Sequence, residues 1–225
     1  MTRHERPPVV NVCFHGIGTP RRTLEPGEDK YWVSVDAYHR ILDAVSADER
    51  VRINFDDGNL SDVEIGLPGL LDRNLTARFF VLAGRLDQDG SLSPEDVRRL
   101  TDAGMTVGSH GMDHVPWRGL SPHALERELV DARSRLEEVT GTPVDEAALP
   151  LGRYDRRVLA ELRRTGYRTV YTSDRRWTRA GAWLQPRFSV HRTDTADSVR
   201  REILAPAPLL TRATGYAKGV AKRYR

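Results

Sequence analysis

Val51-Arg52-Ile53-Asn54-Phe55-Asp56-Asp57-Gly58 is an apolar, β-branched run that ends on two carboxylates and a glycine. A short run of this kind suits a strand buried on both faces, and Gly58 permits a tight exit from it. Working outward, residues 9–15, 77–83, 105–108, 146–151 and 169–173 repeat the style. Helix signals lie between these runs. Ser93-Pro94-Glu95-Asp96 gives an N-cap, a proline at the first helical position and acids in the first turn, with Gly104 at the stop. Ser121-Pro122 opens a second helix, whose Leu125, Leu129, Ala132 and Leu136 form an apolar stripe before Gly141. Residues 154–164 predict a third, with Val158, Leu159 and Leu162 inward and Gly166 beyond its end. Alternating strand and helix predicts a single α/β domain, as a barrel or an open sheet.

The bulk properties narrow the function. At 225 residues and 39% hydrophobic content, the chain fits one soluble domain. Its single cysteine, Cys13, excludes an internal disulfide framework and a zinc ribbon, and its apolar neighbours predict a buried structural thiol. No signal-peptide h-region or membrane-length apolar stretch is present, so the expected location is cytoplasmic. The reading divides into a charged extension at 1–8, a domain at 9–205 and a basic tail at 206–225. Residues 200–225 carry seven basic side chains against Glu202 alone. The basic balance thus belongs to the tail, and no nucleic-acid partner is expected. In the tail Leu210, Ala213, Ala217, Val220 and Tyr224 interleave with basic residues, which predicts an amphipathic helix resting on the barrel or on an anionic membrane surface.

The chemistry rests on a second motif, His110-Gly111-Met112-Asp113-His114. One carboxylate and two imidazoles hold a borderline-soft divalent ion and leave positions open for water and substrate. The other carboxylate is free to take a proton from that water. Paired aspartates alone suit a helix cap, and two histidines four apart alone suit a solvated helix face. Both motifs, however, follow predicted strands, and the C-terminal strand ends are where α/β barrels place their sites. Their joint occurrence implies a metal-dependent hydrolase. Gly16-Ile17-Gly18 lacks the third glycine of a dinucleotide fingerprint and reads as a loop.

On these residues the chain resembles the polysaccharide deacetylases of carbohydrate esterase family 4, the NodB-homology domain. The family's Thr-Phe-Asp-Asp-Gly motif is matched by Asn54-Phe55-Asp56-Asp57-Gly58. Its His-Ser/Thr-x-x-His motif is matched by His110 to His114, preceded by Gly108-Ser109. Its Arg-x-Pro-Tyr/Phe-Gly motif is matched in part by Ala148-Leu149-Pro150-Leu151-Gly152. The resemblance covers residues 9–195 and implies a distorted (β/α) barrel. It implies that Asp57, His110 and His114 bind a divalent metal, commonly Zn2+, and that Asp56 is the general base. The implied reaction removes N-acetyl groups from an amino-sugar glycan or its precursor, with a backbone N–H near Leu151 at the oxyanion.

The chain departs from the family at two points. Ala148 stands where the family has an arginine that orients the base, so Arg187 or Arg153 is expected to supply that charge. The late Leu-x-His-Asp motif has only His191 as a counterpart. His15 is a competing acid, and Asp56 returning its proton is the third route to the leaving amine. Trp117 and Tyr154 are the expected sugar contacts. Two other functions fit the sequence: a same-fold hydrolase of a non-sugar amide or other C–N bond, and a metal-free carbohydrate-binding pseudoenzyme.

Overall fold

The computed structural model describes residues 7–205. In chain order the strands are β1 (Pro8–Phe14), β2 (Gly16–Ile17), β3 (Trp32–Val33), β4 (Val51–Asp57), β5 (Ala77–Val81), β6 (Thr106–Ser109), β7 (Glu146–Ala148), β8 (Thr169–Thr172), β9 (Thr178–Arg179) and β10 (Leu184–Ser189). Seven of them run parallel in the ring β1-β4-β5-β6-β7-β8-β10. The ring closes where β10 pairs with β1, Asn11 opposite Arg187 and Val12 opposite Phe188. β9 lies antiparallel on the start of β1, while β2 and β3 form a separate ribbon.

The helices are α1 (Val35–Val45), α2 (Leu67–Leu71), α3 (Pro94–Asp102), α4 (Pro122–Glu126), α5 (Ala132–Thr140), α6 (Arg156–Arg164) and α7 (Ala196–Val199). The predicted boundaries of α3 appear as a full capping box: Ser93 accepts from the Asp96 N–H, and the Asp96 carboxylate accepts from the Ser93 N–H. A π turn at Arg127–Asp131 joins α4 to α5, and left-handed Gly141 (φ 66°) ends the pair.

Period-two alternation divides the barrel residues. Val12, Phe14, Ile53, Phe55, Phe79 and Val81 face outward into the main core with Ile41, Leu42 and Leu70 of the helices. Phe55 and Phe79 stack with centroids 4.6 Å apart. The opposite parity carries Asn11, Asn54, Asp56, Gln185 and Arg187, all buried. Asn11 satisfies this polar interior by donating to the Gln185 side chain and the Pro186 carbonyl, each at 3.0 Å.

Several elements escaped the sequence reading, α1, α2, α7 and β10 among them. β10 contains Gln185, Pro186 and Arg187, which break an apolar run because its inward positions face polar groups. The helical stretch through Asp62–Gly66 and α2 carries Pro68 and two glycines that look like breakers. Gly69 is instead a packing choice, since a Cβ there would sit 2.8 Å from the Tyr38 ring. The basic tail and its predicted helix lie outside the described residues. Among those described, no helix is long and apolar enough to cross a membrane.

Candidate active site

The C-terminal ends of the strands surround a cavity of about 350 Å³. β4 delivers Asp56 and Asp57 to its floor; His110 follows β6 directly, and Arg187 rises from β10. Asp57 takes φ 78° and His114 φ 55°, left-handed conformations in which the chain turns sharply and aims both side chains inward.

Asp57, His110 and His114 meet at one point. Each histidine Nε2 lies 3.4 Å from Asp57 Oδ1, an oxygen that is buried without a hydrogen-bond partner. The other ring nitrogens are engaged: His110 Nδ1 reaches the Ala148 carbonyl at 2.9 Å, and His114 Nδ1 reaches Glu25 Oε2 at 2.8 Å. With Nδ1–H donated in each ring, both Nε2 lone pairs and the carboxylate oxygen point at one another. These three residues are grouped so that they could hold a metal ion, and the donor set suits a divalent ion such as zinc.

The loop carrying the two histidines is shaped from behind. Glu128 is 2% exposed, and its carboxylate accepts from the Met112 N–H at 2.8 Å, the Asp113 N–H at 3.3 Å and Trp117 Nε1 at 3.2 Å. A Cβ on Gly111 would collide with that carboxylate, which explains the glycine between the histidines. A second support comes from the segment before β3. Glu25 bridges His114 and Arg85, while Arg22 grips both Glu28 and Asn59. Neither Glu25 nor Glu128 carries a local motif, so sequence reading missed both. Replacing Glu25 by alanine is expected to weaken metal affinity by about ten- to hundredfold, the range for losing a carboxylate behind a ligating histidine. Competition with a chromophoric chelator measures this, and unchanged affinity would show that Glu25 does not support His114.

Beside this triad Asp56 receives both Arg187 terminal nitrogens, Nη1 to Oδ1 at 2.5 Å and Nη2 to Oδ2 at 2.6 Å. Burial opposes ionisation of Asp56, but the Arg187 guanidinium holds its carboxyl below the usual carboxylate range. Arg187 lies against the contacting rings of Phe80 and Tyr171, 5.2 Å and 5.8 Å from their centroids. Arg153, the other expected partner of Asp56, is exposed on the cavity rim and makes no ion pair among the described residues.

The candidate acids separate as well. His15 lines the cavity with Nε2 4.0 Å from Asp56 Oδ2, and burial lowers its pKa. His191 does not line the cavity; its ring packs edge-on against Tyr31, whose ring stacks on His15. Leu151 lines the cavity with φ 54° and 54% exposure. The expected sugar contacts need correction. Trp117 is fully buried and tied to Glu128, and Tyr154 is 1% exposed with its hydroxyl on Asp174 at 2.7 Å. Both rings belong to the core cluster under α6, where they cannot stack on a ligand in the cavity. Tyr31 is the aromatic side chain that does face it.

Comparison with known proteins agrees with this geometry. The polysaccharide deacetylase family profile matches residues 44–170. The chain is 30% identical over 115 residues to the peptidoglycan-N-acetylglucosamine deacetylase PgdA of Listeria monocytogenes, covering 51% of this chain and 24% of that protein. It is 23% identical over 141 residues to the peptidoglycan-N-acetylmuramic acid deacetylase PdaA of Bacillus subtilis, covering 62% and 52%. The chain thus spans about half or less of the curated relatives it matches. In three dimensions it superimposes on the Streptococcus pyogenes deacetylase PplD with a TM-score of 0.77 at 17% identity, covering 89% of this chain and all of that one. With more than half its length matched by the profile and its closed parallel barrel shared, this chain belongs to the polysaccharide deacetylase family.

Proposed function

We propose that the chain is a metal-dependent hydrolase that removes N-acetyl groups from an amino-sugar-containing glycan or glycan precursor. The observation that carries this reading is the convergence of Asp57 Oδ1 and two histidine Nε2 atoms beside a second, arginine-held carboxylate. Relatives named for deacetylating N-acetylglucosamine and N-acetylmuramic acid supply the substrate class.

Asp57, His110 and His114 hold the ion, most simply Zn2+. When held there it would supply Lewis-acid chemistry, lowering the pKa of a water and polarising the acetamide carbonyl. Asp56, kept ionised by Arg187, takes the proton from the attacking water. The two-pronged grip of Arg187 fixes the carboxylate plane, so the accepting oxygen cannot rotate away. The Leu151 N–H is the proposed donor to the oxyanion, because the left-handed turn at Leu151 brings this backbone to the cavity wall. Protonation of the departing amine falls to Asp56 returning its proton. His191 stands outside the cavity, and His15 is kept neutral by burial with no partner on its Nδ1.

The test is acetate release across a panel of N-acetylated glycans, before and after chelation and after adding back Zn2+. Release that chelator abolishes and zinc restores supports the proposal. Equal release with chelator present, or none from any acetylated sugar by metal-loaded protein, removes it.

A further inference from the structure

We infer that the cavity is built for a substrate bearing an anionic substituent near the acetamide, recognised by Lys30 and Arg153. The reacting group is taken from the deacetylase reading; the charge preference is an independent property of the cavity wall. Four carboxylates line the cavity, and each has a cationic or imidazole partner. Glu25 meets Arg85 and His114, Glu28 meets Arg22, Asp56 meets Arg187, and Asp57 meets the two histidines. Two cationic side chains that line the same cavity have no such partner among the described residues. The Lys30 ammonium lies 5.0 Å over the Tyr31 ring, and Arg153 projects from the rim beside Gly152.

The surplus is therefore positive, and an ion in the triad adds to it. Lys30 lies in the segment between β2 and β3, whereas Arg153 follows β7. A neutral sugar crossing the cavity mouth gives neither cation a partner. A carboxylate or phosphate does, through a point charge from lysine and a planar fork from arginine.

The experiment uses zinc-loaded wild type, Lys30→Gln, Arg153→Gln and the double variant. Substrates are N-acetylated amino-sugar oligosaccharides in matched pairs, a carboxylate against its methyl amide and a phosphate monoester against its dimethyl ester. The readouts are kcat/KM for acetate release and Kd for the deacetylated products. Wild type is expected to favour the anionic member by about tenfold in KM and Kd. Each single variant should lose about three- to fivefold of this and the double variant all of it, as expected for solvent-accessible charge contacts. A preference confined to one pair supports the inference and identifies the substituent. Equal handling of both members by wild type, or a preference that survives in the double variant, overturns it. If no acetate is released but product binding keeps the Lys30- and Arg153-dependent preference, the anion site stands and the deacetylase reading falls.

Discussion

Arg187→Met is expected to cost about 3–5 kcal/mol of stability at neutral pH, the scale for leaving one member of a buried ion pair uncompensated. Methionine keeps the apolar contact with Phe80 and Tyr171, so the loss isolates the charge from the packing. In the wild type the folded Asp56 pKa lies below its unfolded value of about 3.9. Such a group stabilises the fold above that value, and its contribution fades as pH falls through the depressed folded pKa. Without Arg187 the sign reverses, because burial and the neighbouring Asp57 then push Asp56 upward. The penalty is present at neutral pH and disappears as Asp56 takes up a proton on acidification. Urea unfolding of both proteins from pH 7 down to pH 4 should show the gap narrowing. A gap that stays constant with pH would assign the loss to packing. Activity should fall by about 10²–10⁴-fold, the usual worth of a positioned general base. Arg187→Lys should recover only part of it, since an ammonium cannot reproduce the two-pronged contact.

Asp57→Asn should remove metal-dependent turnover with little effect on folding. Asp57 adopts φ 78°, a conformation asparagine tolerates better than alanine, so the amide variant keeps the turn that an Asp57→Ala change would strain. What disappears is the anionic member of the proposed ligand set. The expected result is loss of stoichiometric zinc after dialysis and a fall in acetate release of about a thousandfold or more, the equivalent of several kcal/mol of Lewis-acid stabilisation. Metal analysis beside the thermal unfolding curve checks both halves. Retained zinc with wild-type turnover would show that Asp57 is not a ligand. The Glu25 variant is milder because it alters the support of one ligand and leaves all three in place.

The half of the site made by contiguous motifs was legible in the sequence. Asp56, Asp57, His110 and His114 sit where two strands stop, and glycines mark the turns that expose them. Capping signals likewise placed α3 and the start of α4, because those interactions span only three residues. The rest depends on contacts distant along the chain. Arg187 meets Asp56 across 131 positions, and Glu25 meets His114 across 89. Spacing left Arg187 and Arg153 equivalent; barrel closure separates them by putting β10 beside β1 and leaving Arg153 on the rim. Arg187 also lies beyond the segment matched by the family profile. Aromatic residues misled for a simpler reason. Trp117 lies three residues past His114 of the candidate metal site, yet its bulk fills the core beneath the loop and its indole N–H holds Glu128.

That buried glutamate has a consequence for how the proposed metal site would be loaded. Glu128 fastens the His110–His114 loop through two backbone amides and an indole, using none of the ligand atoms themselves. Folding of the helical α4–α5 element therefore prepays the ordering of the loop, and little conformational entropy remains to be lost when a cation enters. Loading of the proposed ion would then resemble docking into a finished socket more than coupled folding. Under this arrangement, discrimination among competing divalent ions rests on ligand chemistry and geometry, with scarcely any contribution from the chain's ability to rearrange around the wrong one.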